Sequence, residues 1–365
     1  MAILLTGGTG FLGGTIITEI IENQQEWNIN PKNLRVLVRG TSNIDRLKKL
    51  TIPMVVGDLG DPESLKKAVQ GVETIIHTAA VVLDQSPEHL LYKYNVEGTK
   101  ALVDAFVNEK NHKKFVYVST WGVYGYKVKP KPMKENQPFE PTSEYHNSKV
   151  QAEKILWDYH QDYGIPVTVA RKPMIMGPGD TLTTPRVIQA FFDNKVVRIG
   201  KGDNLFSGIH VRDAARSILA MATKKEANGE AYNVKSFDIS QKEYWNTHAE
   251  AINYPKITTS YPKSVAMIYA FFKEIMAKIK GEGKSTITRH RVRRYGNTRV
   301  LDDSKIRKQL GWEPIHTDGK KVIKQAVKWL EENDFIDYQK KEVKIVRKWE
   351  AHFGRNNDDL EPNIK

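Results

Sequence analysis

The chain has 365 residues, a formal net charge of +13 and no cysteine, so disulfides, thiolate nucleophiles and zinc–sulfur sites are excluded and any redox chemistry has to come from a cofactor. That length exceeds one typical domain and suits a large α/β unit with a smaller second lobe. The first twenty residues carry no basic segment ahead of an apolar one, and no run of about eighteen apolar residues occurs, which argues against a signal peptide or a membrane span and for a cytoplasmic protein.

In chain order, residues 2–6 read as a short buried strand, and Ile16, Ile17, Ile20 and Ile21 recur at helical spacing. Apolar strands follow at 34–39, 53–59, 74–80, 114–120 and 166–172, with helical segments between them. Near-continuous apolar strands alternating with helices predict a Rossmann-type, doubly wound parallel sheet covered on both faces. It spans residues 1–173, and residues 205–234 are expected to return to it. Residues 174–204 and 235–330 then form a discontinuous substrate lobe, and 331–365 an additional charged helix and a loose tail.

At the first strand-to-helix junction, Gly7, Gly10 and Gly13 have the spacing G-x-x-G-x-x-G, with Phe11 and Leu12 between the last two. Glycines there permit a tight turn, close approach of a pyrophosphate and close helix packing, with the helix N-terminus facing the anion. The reading gains from context, because "GDLGD" puts Asp58 and Leu59 at the end of the third strand, where the carboxylate can meet an adenine edge. Further on, "EYHNSK" sets Tyr145 and Lys149 four residues apart in a predicted helix. They share one face, so the ammonium can stabilise the phenolate of a tyrosine that otherwise titrates near about 10, giving a usable acid or base. Ser119 and Thr120 lie at the carboxyl end of the fifth strand, the edge where open α/β sheets hold their ligands.

From "TGGTGFLG" through "GDLGD", "IIHTAA", "NVEGT", "VSTWGVYG", "YHNSK", "RKPMIMGPGD" and "IHVRDAA" to "DDSKIRKQLGWEP", the chain resembles the extended short-chain dehydrogenases/reductases, the epimerase/dehydratase superfamily. Its nearest likeness is to the 3β-hydroxysteroid dehydrogenase-like and dihydroflavonol reductase-like members. The resemblance implies that Tyr145 exchanges the proton, that Lys149 binds the nicotinamide ribose and tunes Tyr145, and that Thr120 holds the reacting oxygen. It selects Thr120 over Ser119 because the family's reactive hydroxyl lies five residues before the glycine matched by Gly125. It also implies that Ala79, Ala80 and Asn95 line the cofactor and that Pro173 to Ile175 lie near the nicotinamide. Two departures narrow the reaction. Sugar-nucleotide dehydratases carry an Asp-Glu pair after the threonine, where this chain has Trp121 and Gly122, so dehydration is not expected. NAD-binding members commonly end the second strand with an acidic residue, whereas Arg39 here offers a cation to a 2′-phosphate, with Thr41 and Ser42 beside it. NADP is therefore favoured over NAD, and either would serve if Arg39 only stacks on the adenine.

Substrate information is sparser. Residues 261–281 carry an apolar run from Val265 to Phe272 with Lys263, Lys273, Lys278 and Lys280 around it, similar to helices of members with lipophilic substrates. This helix fits a cover over the cleft, a contact in a homodimer, or a place on a membrane surface. Arg289, Arg291, Arg293, Arg294 and Arg299 follow, as a solvated basic face or a diphosphate site. No nucleic-acid module accompanies them, so nucleic acid is not expected as a partner. The histidines, His77 and His210 included, show no close ligand pair, and no metal is expected. Asp302 and Asp303 read as a helix start, with Asp303 or Ser304 as cap. Three functions fit: an NAD(P)-dependent oxidoreductase on a secondary alcohol or ketone of a small, lipophilic substrate, a nucleotide-sugar epimerase with tightly bound NAD, and a non-catalytic dinucleotide-sensing regulator. Arg39 and the apolar helix favour the first.

Overall fold

The computed structural model describes residues 1–82, 86–126, 132–280 and 288–344. Strands β1 (Ile3–Thr6), β2 (Leu34–Val38), β3 (Met54–Val56), β4 (Thr74–His77), β5 (Lys114–Thr120), β6 (Val167–Lys172) and β7 (Glu230–Asn233) form one parallel sheet in the order β7-β6-β5-β4-β1-β2-β3. Every residue of β1, β4 and β6 is buried, as a sheet covered on both faces requires. On one face Ile16, Ile17 and Ile20 of helix α1 (Phe11–Glu22) join one core cluster with Ala214, Ala215 and Ile218 of a later helix, Val211–Thr223. On the other, Leu65, Leu102, Phe106 and Leu156 form the second cluster, contributed by helices Pro62–Val69, Gly98–Val107 and α2 (Glu144–Tyr163).

The segment expected to return to the sheet divides between two sheets. Helix Val211–Thr223 and strand β7 belong to the main layers, but Leu205–His210 pairs parallel with Met174–Met176 and antiparallel with Phe237–Ser240 in a separate three-stranded sheet. A third core, with Phe191, Phe206, Tyr244, Trp245 and Leu330, fills the second lobe. In place of the start of the expected terminal helix, Ile336–Asp337 and Glu342–Val343 make an antiparallel hairpin, and the rest of that expectation lies outside the described residues. Helix Ser304–Leu310 begins at Asp303, yet Asp303 makes no side-chain cap. Its carboxylate pairs with Arg307 at 2.8 Å, and Asp302 accepts the Ser304 N–H at 2.9 Å.

One buried ion pair fixes α2 to the sheet. Arg171 on β6 donates to both carboxylate oxygens of Glu153 on α2, the closest contact being 2.7 Å, with side chains 5% and 0% exposed. Ser119 of β5 donates to the same carboxylate. Arg171 also donates to Tyr124 Oη at 2.9 Å and to the Glu135 carbonyl at 2.7 Å, and Tyr124 donates to Asn233 on β7. Truncating one partner strands the other charge in a dry interior. We therefore expect Glu153→Ala to lower unfolding free energy by about 3–5 kcal/mol in urea titrations. A loss no larger than that of an exposed substitution would show that the pair is not closed in solution.

Candidate active site

The chain leaves β1 at Thr6 and turns sharply. Gly7 has φ +75°, and a Cβ there would lie 2.6 Å from Thr78 Oγ1 and 2.8 Å from the Ala79 nitrogen, so only glycine lets this turn run against the end of β4. Gly10 is the N-cap of α1, donating its own N–H to the Gly7 carbonyl at 2.9 Å. No side chain caps this helix and no acidic residue occupies its first turn, which leaves its leading N–H groups to an anionic ligand. Gly13 packs onto the Gly7 carbonyl, Leu12 is buried in the core, and the half-buried Phe11 ring lies against Gly179. A glycine cradle before an uncapped helix start fits a dinucleotide pyrophosphate.

Beyond β2 the half-buried Arg39 donates its backbone N–H to Ser42 Oγ at 3.1 Å, which ties Ser42 into the turn, while Thr41 is exposed. Burial pulls the Arg39 guanidinium below its usual value, and the nearby Asp58 and Tyr94 oppose that shift. Asp58 accepts the Gly60 N–H at 2.7 Å, and Leu59 is buried. Ala79 and Ala80 are half-buried after β4, and Pro173 (buried) and Ile175 (half-buried) follow β6. Asn95 lies in a π-helical turn, Tyr92–Glu97. Its carbonyl oxygen accepts the Val81 N–H, and its amide donates to the Val81 carbonyl at 2.9 Å and to Ser148 Oγ at 3.0 Å. Asn95 thus clamps the loop after Ala80 to the residue before Lys149, instead of presenting a free donor. The π turn left no periodic signal in the sequence.

Ser143 caps α2, accepting the His146 N–H at 3.3 Å. Tyr145, half-buried, and Lys149 follow on its first turns. Lys149 is 3% exposed, with its Nζ 4.2 Å from the ring centre of Tyr117 on β5. Burial pushes its pKa down to about 7, against the pull of Glu153 one turn further along. The two hydroxyls at the end of β5 part company because successive strand side chains point to opposite faces. Ser119 is buried and committed to Glu153, whereas the half-buried Thr120 accepts the Gly122 N–H at 3.1 Å and opens the turn Trp121–Tyr124. That turn packs on α2. A Cβ on Gly122 would lie 2.2 Å from the His146 imidazole, so neither of the two positions after Thr120 offers a carboxylate and the second has no room for one. The turn after Thr120 thus meets α2 at His146, the residue after Tyr145, with Lys149 one turn from Tyr145 along the same helix.

Behind this site is a group the sequence did not reveal. The Tyr126 ring lies 5.3 Å from His146 and 4.7 Å from His290, and His146 lies 5.6 Å from Tyr145. The arginine run divides: Arg289, Arg291 and Arg293 are exposed on helix Arg289–Gly296, but Arg299 is 1% exposed, its guanidinium 3.9 Å from the ring centres of both Trp121 and Tyr126. Among the described residues no acceptor meets its three nitrogens in hydrogen-bond geometry, and burial pulls it down to about 9, with Tyr126 opposing. Arg299 lies more than 170 residues beyond Trp121 and Tyr126, so no local pattern links them. His77 is buried between Thr6 Oγ1 (2.6 Å) and Thr99 Oγ1 (3.1 Å), and burial pushes it down to about 3. Among the described residues no three histidine, aspartate or glutamate side chains form a metal-holding group.

The fold and this site define a Rossmann-type enzyme of the extended short-chain dehydrogenase/reductase kind. The sequence profile of the NAD dependent epimerase/dehydratase family matches residues 3–234, and the chain belongs to that family. It is 25% identical over 336 residues to 3beta-hydroxysteroid-dehydrogenase/decarboxylase isoform 2 of Arabidopsis thaliana, covering 86% of this chain but 59% of that longer protein. It is 26% identical to the N-acetyl-alpha-D-glucosaminyl-diphospho-ditrans,octacis-undecaprenol 4-epimerase of Escherichia coli O157:H7, covering 83% of this chain and 88% of that one. In fold it is similar to the dTDP-glucose 4,6-dehydratase of Streptomyces venezuelae solved with NAD and TYD, with a TM-score of 0.73 at 22% identity over 91% of this chain and 98% of that one.

The buried lysine has a measurable consequence. The unfolded chain keeps Lys149 protonated up to its ordinary value of 10.5, while the folded chain releases that proton near about 7, so between these limits the unfolded state binds more protons and stability rises with pH. Urea midpoints of Lys149→Met and wild type should diverge most, in the variant's favour, below about pH 7 and converge towards about pH 10. A pH-independent gap would contradict this burial.

Proposed function

We propose that the protein is an NAD(P)-dependent oxidoreductase interconverting a secondary alcohol and a ketone. The observation that carries the reading is Lys149, buried one turn after Tyr145 in the opening turns of α2. In this reading Tyr145 Oη gives or takes the proton on the reacting oxygen, Thr120 Oγ1 orients that oxygen, and the Lys149 cation favours the phenolate and holds the ribose. The bound dinucleotide supplies the hydride acceptor or donor. Gly7, Gly10, Phe11, Leu12 and Gly13 hold its pyrophosphate, Asp58 and Leu59 its adenine, and Ala79, Ala80, Pro173 and Ile175 its nicotinamide half, with Asn95 fixing the loop after Ala80 behind them. Arg39 favours NADP, since no carboxylate ends β2 to receive a ribose diol. A lipophilic substrate accords with relatives named for steroid and undecaprenol compounds.

Arg299 favours a second reading, a nucleotide-sugar epimerase. A buried guanidinium stacked between Trp121 and Tyr126, with no carboxylate paired to it among the described residues, suits a substrate anion such as a diphosphate. Releasing and counting the dinucleotide from protein purified without added nucleotide separates the two. Near-stoichiometric NAD would favour the epimerase, and an empty site that binds NADPH more tightly than NADH would favour the reductase.

Under either reading, Tyr145→Phe should lower kcat by about 10²–10⁴-fold while dinucleotide binding persists. Retained turnover would remove Tyr145 from the chemistry. Arg39→Ala should weaken NADPH binding about tenfold or more and leave NADH nearly unchanged, as titration of the cofactor's fluorescence would read. Equal weakening of both would assign Arg39 to the adenine face.

A further inference from the structure

Helix Lys263–Lys280 is amphipathic in the wrong sense for a core helix. Val265, Ile268, Phe272, Ile275 and Ile279 recur at intervals of three and four and so share one face, yet they are between 37% and 74% exposed. Among the residues of this helix whose side chains are described, the buried ones are the small Ala270 and Ala277, seven apart on another face. The protein therefore holds the helix by its narrow side and turns its large apolar side outward. Contiguous apolar surface of this kind marks a docking site.

The surrounding charge selects the partner. Lys273 is exposed on the flank of the stripe, with its Nζ 5.6 Å from the ring centre of the exposed Tyr269. The adjoining helix Arg289–Gly296 adds the exposed Arg289, Arg291 and Arg293. The only acid in either helix is Glu274, and Arg289 pairs with it at 2.7 Å. A two-fold contact between copies would set these same cations against one another. An anionic bilayer answers both features, because it takes the apolar stripe into its acyl boundary and the cations at its headgroups. No helix among the described residues is long and apolar enough to cross a membrane, so the helix would lie on the surface.

We propose that the outward face of helix Lys263–Lys280, with the basic helix Arg289–Gly296 beside it, docks the protein on an anionic lipid surface. The inference goes beyond the reductase reading and does not depend on it. The docked element also reaches the site: His290 lies 4.7 Å from the Tyr126 ring and 3.2 Å from the Thr142 carbonyl, three residues before Tyr145. Docking would hold the cleft wall close to lipid, where a lipid-borne substrate resides.

Flotation of the full chain with vesicles tests this. Partition into phosphatidylcholine vesicles containing about a quarter phosphatidylglycerol should exceed that into phosphatidylcholine alone by about tenfold or more, and should fall as salt is raised. The double variant Ile268→Glu/Phe272→Glu should lose that partition, and Lys273→Glu/Arg293→Glu should reduce it to the neutral-vesicle level. Both sets of side chains are exposed, so unfolding midpoints should stay near wild type. Equal partition into neutral and anionic vesicles, or undiminished partition of the Ile268→Glu/Phe272→Glu variant, would overturn the proposal. So would a wild type that ignores vesicles but forms dimers which this variant dissolves. Dinucleotide binding, read on the same preparations, reports the reductase reading separately.

Discussion

The Arg171–Glu153 ion pair carries more of this structure than its size suggests, because it lies where three strands, a helix and a turn converge. Two charges taken out of water cost several kcal/mol each, and only near-complete pairing offsets that cost. Here the pairing is dense: Glu153 takes Arg171 in a two-oxygen fork together with the Ser119 hydroxyl, and Arg171 also reaches Tyr124 and the Glu135 carbonyl. One consequence is positional, since α2 cannot rotate or slide without breaking this set, and Tyr145 and Lys149 ride on α2. Another is electrostatic: the Glu153 carboxylate, one turn from Lys149, is the main support for a cation that burial otherwise disfavours.

The same network sorts the hydroxyls at the end of β5. By occupying Ser119 on the inner face, Glu153 leaves Thr120 as the hydroxyl at the turn that follows, and the bare Gly122 lets that turn rest on His146. A side chain at 122 would push the turn from α2, so this position is given over to close packing.

The other wall of the site comes from the second lobe. Arg299 enters through backbone bonds, its N–H donating to the Leu205 carbonyl and its own carbonyl accepting from Ser207. Met133 is inserted beside it, bonded to Val300 and Asp302. Segments some 170 residues apart in the chain thus stack Trp121, Arg299 and Tyr126 into one column. Stacking on two aromatic faces compensates a guanidinium for part of its lost hydration.

What the sequence determined by itself is whatever near neighbours along the chain decide. The buried runs and the helical repeats between them define the parallel sheet, the glycine spacing after β1 defines a cradle, and the four-residue step from Tyr145 to Lys149 puts both on one helical face. The apolar helix at 263–280 was legible too, but not its outward orientation, because periodicity says which residues share a face and nothing of which way that face turns. Tertiary structure alone decided that Ser119 turns inward, that Asn95 acts as a clamp, that Leu205–His210 leaves the main sheet, and that Arg299 parts from its exposed neighbours. Each of these outcomes depends on residues distant in sequence competing for the same buried space or the same polar partner, and such competition has no period to read.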